Sequence, residues 1–115
     1  MNEISTLIDK IKSSPETVQF GEVLDVITEF YQYRPTAFKN GDTENAEGQN
    51  EGSCKLFAFA MINKFNKKET LHLFGNYYRE DVLGSPEGTD HQNIRNFIKY
   101  GWEGIDFEST ALYEK

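Results

Sequence analysis

The chain has 115 residues, enough for one hydrophobic core and too few for a second independent one, so residues 1–115 are expected to form a single domain. A net charge of −7 and a pI near 4.8 argue against nucleic acid or an anionic membrane as partner, because both are held through clustered Lys and Arg, which here are scattered. No apolar run approaches the ~20 residues that span a bilayer, and Met1-Asn2-Glu3 opens without the basic start and apolar stretch of a secretory leader, which implies synthesis as a cytoplasmic chain.

Ile4, Leu7, Ile8 and Ile11 recur at helical spacing and predict a first short helix, which Ser13, Ser14 and Pro15 interrupt. Phe20, Val23, Leu24, Ile27, Phe30 and Tyr31 repeat the pattern and predict a second helix over residues 20–32, ended by Arg34 and Pro35. Thr36 to Phe38 reads as a short extended piece, and the polar stretch from Asn40 to Glu51 as a loop. From Ser53 to Phe65 nearly every position is apolar, including Leu56 to Ile62, which predicts a central helix buried all round. Asn66 and Glu69 have the spacing of a capping box for a helix from Lys67 to Glu80.

Gly84 to Gly88 is turn-rich, and Thr89 with Gln92 has the spacing of a second capping box. The helix that follows turns Ile94, Phe97 and Ile98 inward. Gly101 is expected to close it in a left-handed conformation, with Trp102 folding back on Phe97. Ile105 and Phe107 alternate with acids, a strand pattern expected to pair with Thr36 to Phe38. The sum is an α+β domain, mostly α: about five helices around one aromatic-rich core, with a minor two-stranded element. Nine Phe, six Tyr and one Trp supply the large side chains for that core.

Several uncommon blocks occur together. Asn50-Glu51-Gly52-Ser53-Cys54-Lys55 precedes Phe57-Ala58-Phe59-Ala60. Phe74-Gly75 is followed by Tyr77-Tyr78-Arg79-Glu80-Asp81-Val82-Leu83-Gly84, and then by Gly88-Thr89-Asp90-His91-Gln92-Asn93-Ile94-Arg95-Asn96-Phe97. Gly101-Trp102, Gly104-Ile105 and Phe107-Glu108 complete the set. Jointly these blocks resemble HopJ-type proteins, a bacterial family named for type III secretion effectors, from about Phe20 to Leu112. The resemblance implies an effector-like protein with export through a type III secretion system as a route, and it transfers no catalytic residues.

Cys54 is the only cysteine, so the chain has no internal disulfide, which suits a reducing compartment. It falls near the start of the predicted central helix, where the helix dipole can lower a thiol pKa. The run from Gly48 to Cys54 also looks superficially like the nucleophile segment of papain-like proteases, with Gln49 as the oxyanion-hole amide. Lys55 and Leu56 depart from the aromatic residue that follows the cysteine there. His91 or His72 would serve as base, and Asp90 and Asn93 lie close to His91 in sequence as orienting groups. Against this stands a buried cysteine packing as a small hydrophobe, the more common role of a lone cysteine.

Asp90, His91, Glu80 and Asp81 could be grouped as mixed oxygen and nitrogen ligands, yet helix capping explains Asp90 and His91 as well, so no metal and no cofactor is expected. Asn40 to Glu51 has the length of a calcium loop but carries Asn45 where that loop needs Gly. Tyr77, Tyr78 and Arg79, with Arg95 on the last helix, form the candidate binding residues, weighed against ordinary packing and ion pairing. Two readings follow: a non-enzymatic module that binds a protein partner, and a cysteine-dependent hydrolase or acyltransferase using Cys54 and His91. No pattern selects an oligomeric state.

Overall fold

The computed structural model describes residues 3–115; Met1 and Asn2, which open the stretch read as lacking a leader, lie outside the described residues. These residues form five α-helices: α1 (Glu3–Ser13), α2 (Phe20–Phe30), α3 (Glu51–Ile62), α4 (Lys67–Leu73) and α5 (Gln92–Tyr100). Five short strands complete the fold: β1 (Tyr31–Tyr33), β2 (Phe38–Asn40), β3 (Thr43–Asn45), β4 (Ile105–Phe107) and β5 (Leu112–Glu114). The α+β, mostly helical architecture is as expected, but the minor β element is two small antiparallel sheets, β1-β5 and β3-β2-β4.

α1 buries Leu7 and Ile11 and ends where Pro15 opens a 3-10 turn, Pro15–Thr17. α2 stops at Phe30, two residues before the expected end. Tyr31 to Tyr33 instead pair with Leu112 to Glu114, and buried Tyr31 meets the Phe59 ring edge-on at 5.8 Å. A tyrosine on the apolar side of either a helix or a strand gives the same local signal, so the long-range partner decides.

The expected pairing of the first extended piece with Ile105 to Phe107 is present, shifted so that Phe38 faces Phe107 and Asn40 faces Ile105. The stretch from Asn40 to Glu51 is not all loop. Residues 38–45 form a hairpin turning at Gly41-Asp42, where Gly41 has φ +63 and lies against the Tyr100 ring.

α3 runs through the middle of the molecule, with Phe57 and Phe59 fully buried. Its burial is not complete all round, since Met61 and Ile62 at its C-terminal end are 46% and 42% exposed. Phe57 is the hub of the core: its ring lies 5.0 Å from Phe97, 5.4 Å from Phe74 and 6.3 Å from Trp102. The Asn66 and Glu69 box forms as expected, with Asn66 Oδ1 accepting from Glu69 N at 2.8 Å.

The single helix expected from Lys67 to Glu80 is broken. Gly75 has φ +63, and a Cβ there would lie 2.7 Å from the Phe20 amide nitrogen, so only glycine lets this turn pack against the start of α2. The chain then resumes as a π-helical turn, Tyr77–Val82. The second capping box does not form either: His91 occupies the N-cap of α5 with φ 51, and the Gln92 amide donates to the Thr89 carbonyl. Gly101 does take positive φ, and Trp102 packs edge-on against Phe97 at 5.1 Å, as expected. The indole Nε1 donates to the Phe65 carbonyl at 3.0 Å.

Candidate functional site

Cys54 lies in the first turns of α3, but its side chain is 1% exposed and its Sγ sits 3.9 Å from the Thr36 carbonyl oxygen. Burial pushes the thiol pKa up, despite its place near a helix start, and burial likewise raises the Tyr33 hydroxyl beside it. Gln49 closes the preceding turn on itself, its Oε1 accepting from Ala46 N at 3.0 Å.

The protonated, enclosed thiol has two consequences. Labelling by a small maleimide at pH 7.5 should be slow in the folded chain and fast once it is denatured; equal rates would show an accessible thiol. A folded pKa above the unfolded value of roughly 8.5 means that the unfolded chain releases its proton first, so stability should fall as pH rises above about 8.5. Cys54→Ala should flatten the lower part of that decline, which denaturant titrations at pH 7 and 9 would read.

The candidate binding residues divide by role. Arg79 is a strap: Nη1 donates to the carbonyls of Pro15 at 3.1 Å and His72 at 3.2 Å, and Nη2 donates to that of Val18. It ties the π-helical turn to the segment before α2. Desolvation, and then the Arg79 charge, lower the pKa of neighbouring His72, whose ring meets Tyr78 edge-on at 5.5 Å. Arg95 clamps the turn before α5, donating to Ser85 O at 2.8 Å and pairing with Asp90 Oδ1 at 2.6 Å. That pairing holds the Asp90 carboxyl below its usual range.

Tyr77 differs from the others. It is 45% exposed, stands edge-on to Phe20 at 5.2 Å and lies 5.2 Å from the His91 ring. His91 Nε2 is 3.1 Å from Asp81 Oδ2 and 3.8 Å from Asp90 Oδ2, so the π-helical turn brings Asp81 rather than Asp90 nearest to the imidazole. Glu80 does not join them, and among the described residues no group of three or more His, Cys, Asp or Glu could hold a metal ion.

Tyr77 and His91 stand at one side of a cavity of about 600 Å³. The starts of α3 and α5 supply most of its polar groups through Asn50, Ser53, Gln92 and Asn93, with Thr43 from β3, while Phe20 and Phe74 give it an aromatic wall. Gly52 also lines it, and Cys54 does not. Asn50 and His91 precede their helices with nearly identical left-handed backbones, φ 50 and 51, and neither side chain caps its helix. Non-glycine residues adopt that conformation uncommonly, Asn and His more often than most, and π-turns are frequent at functional sites.

Beneath the cavity lies an asparagine network that sequence reasoning missed. Asn93 Oδ1 accepts from Asn40 Nδ2 at 3.0 Å and Asn45 Nδ2 at 3.2 Å, while Asn93 Nδ2 donates to Asn45 Oδ1 at 3.0 Å. Asn50 Nδ2 donates to the same Asn45 oxygen at 2.7 Å, joining the start of α3 to the hairpin. The network ties the hairpin and the adjoining start of α3 to α5, about fifty residues on, around one opening.

No helix among the described residues is long and apolar enough to cross a membrane. The chain is similar, at 50% identity, to a solved protein of unknown function, VPA0580. The match covers 99% of this chain and 95% of that one with a TM-score of 0.97. No curated protein matches. The family model described as HopJ type III effector protein matches residues 4–112, and on that near-complete match the chain belongs to the HopJ type III effector protein family.

Proposed function

We propose that this HopJ-family chain is a non-catalytic module that acts by binding a protein partner, with the cavity between the starts of α3 and α5 as its contact site. One observation carries the reading: the only thiol is sealed in the core, while the 600 Å³ cavity opens beside the exposed Tyr77 ring. A large concave surface with apolar walls and a few convergent polar groups is the usual form of a binding site. Tyrosine, with a rigid ring and a polar tip, is enriched at such contacts.

A benzophenone side chain placed at position 77 should crosslink a discrete protein in cells, whereas one at exposed Lys68 should not. The captured protein, once purified, should bind the parent chain saturably and bind Ser53→Trp, which fills the cavity mouth, at least tenfold more weakly. Equal crosslinking at both positions, or equal affinities, would overturn the proposal. Family membership extends the proposal to delivery by a type III secretion system. Release that persists in a strain lacking the secretion ATPase would remove that extension.

A further inference from the structure

We propose that the group received by this cavity is an uncharged planar amide, either a carboxamide side chain of the partner or a free small molecule with the same edge. The inference rests on the cavity being the contact site and adds the chemistry it selects. No Lys, Arg, Asp or Glu lines it. His91 is the one basic group there, and its Nε2 already faces Asp81 at 3.1 Å. A charged ligand would leave bulk water without a countercharge on the cavity wall, a cost that a neutral ligand does not carry.

The polar atoms left over after internal bonding are of both kinds. Asn50 donates one Nδ2 hydrogen to Asn45, and Gln92 one Nε2 hydrogen to Thr89, so each amide retains an accepting oxygen and a second N–H. The Ser53 and Tyr77 hydroxyls, engaged by no other described residue, can donate. An anion offers acceptors alone and an ammonium donors alone, so either would use only one side of the donor and acceptor capacity that these amides and hydroxyls share. An amide edge presents one donor and one acceptor side by side. Its flat face suits the walls formed by Phe20, Phe74 and the Tyr77 ring.

The test uses three probes of one shape: nicotinamide, its anionic counterpart nicotinate, and the cationic 3-(aminomethyl)pyridine, titrated into the full chain while backbone amide resonances are followed. Nicotinamide should shift Ser53, Tyr77 and Gln92 saturably with a Kd in the millimolar range, as expected for a ligand of about ten heavy atoms. Nicotinate and the amine should bind at least tenfold more weakly. Ser53→Ala combined with Tyr77→Phe should weaken nicotinamide about fivefold or more while leaving the melting temperature near that of the parent.

Two further arms separate the sources: a capped glutamine peptide binding more tightly than nicotinamide assigns the site to a partner's side chain, and the reverse assigns it to a free molecule. Nicotinate binding as well as nicotinamide, or shifts that fall elsewhere, would overturn the amide assignment. A partner crosslink at position 77 that survives such a result would leave the protein-binding reading standing. Amide binding without any crosslink would do the opposite.

Discussion

Replacing Phe57 with alanine is expected to lower stability by about 3–5 kcal/mol, a large share of the ~5–15 kcal/mol that holds a domain of this size. The ring is fully buried and meets Phe38, Phe74, Phe97 and Trp102, so its loss removes one wall from four aromatic contacts at once. Neighbours drawn from β2, the end of α4, α5 and the turn after α5 cannot all move inward to fill the space, which puts the cost toward the upper end. In urea the midpoint should fall by more than about 1 M. A shift under about 0.3 M would mean that the core does not centre on this residue. Trp102→Ala should cost less than Phe57→Ala because Trp102 is only half-buried, although it also frees the Phe65 carbonyl. Trp102→Phe, which keeps one ring but removes that bond and part of the indole's packing volume, should cost less than Trp102→Ala and more than the about 1 kcal/mol of the bond alone.

The features legible in the sequence are those whose cause is local. Ile4, Leu7, Ile8 and Ile11 define a helix face by spacing alone, and Asn66 with Glu69 states a helix start within four residues. Trp102 could be placed against Phe97 because Gly101 forces the chain to turn there. The hairpin at Gly41-Asp42 is not among these features: Gly-Asp is a turn signal, but its polar flanks make the stretch read as a loop. Asn40 and Asn45 are almost fully buried, and no local pattern distinguishes a buried asparagine from a solvated one. Their burial depends on Asn93, about fifty positions away.

The candidate site divides along the same line. Tyr77 and His91 were each singled out from sequence, but their meeting depends on Gly75 breaking the helix and on a π-turn that swings Tyr77 and Asp81 toward His91. Gly75 reads in sequence as a tolerated glycine inside a helical pattern. The reason it must be glycine is the Phe20 amide pressed against it, a contact more than fifty residues distant. Arg79 and Arg95 have the composition of a binding surface, yet both spend their donors on backbone carbonyls. Arginine's several donors make it as fit for bracing loops as for recognition.

Asn93 is where the fold and the proposed site share one residue, and its replacement should affect both. In Asn93→Ala, Asn45 Nδ2 keeps only the Phe38 carbonyl at 3.4 Å and Asn40 Nδ2 keeps only the residue-93 carbonyl, with Asn40 Oδ1 already without a partner among the described residues. Buried polar groups deprived of partners cost roughly 1–3 kcal/mol each, so a loss of about 2–4 kcal/mol is expected. Asn93→Asp separates shape from hydrogen bonding. Its carboxylate would set an oxygen against Asn45 Oδ1, where the parent donates at 3.0 Å, and only the protonated acid can donate there. Burial and that bond both favour the neutral acid in the folded state, which raises its pKa above the unfolded value of roughly 3.9. The unfolded chain therefore releases its proton first, and the Asp variant should lose stability relative to the parent as pH rises from about 4 to 7. The Ala variant should differ from the parent by a nearly constant amount over that range. Urea midpoints for the three chains at pH 4, 5.5 and 7 read both effects. An Ala variant within 0.5 kcal/mol of the parent would show that the network carries little weight. A pH-independent Asp variant would show that residue 93 is solvated rather than held in the network. If both effects appear, nicotinamide titrations on the folded Ala variant, in water well below its midpoint, should show weakened binding, because the side-chain bonds from residue 93 to Asn40 and Asn45 under the cavity are lost while the Asn40 bond to the residue-93 carbonyl remains.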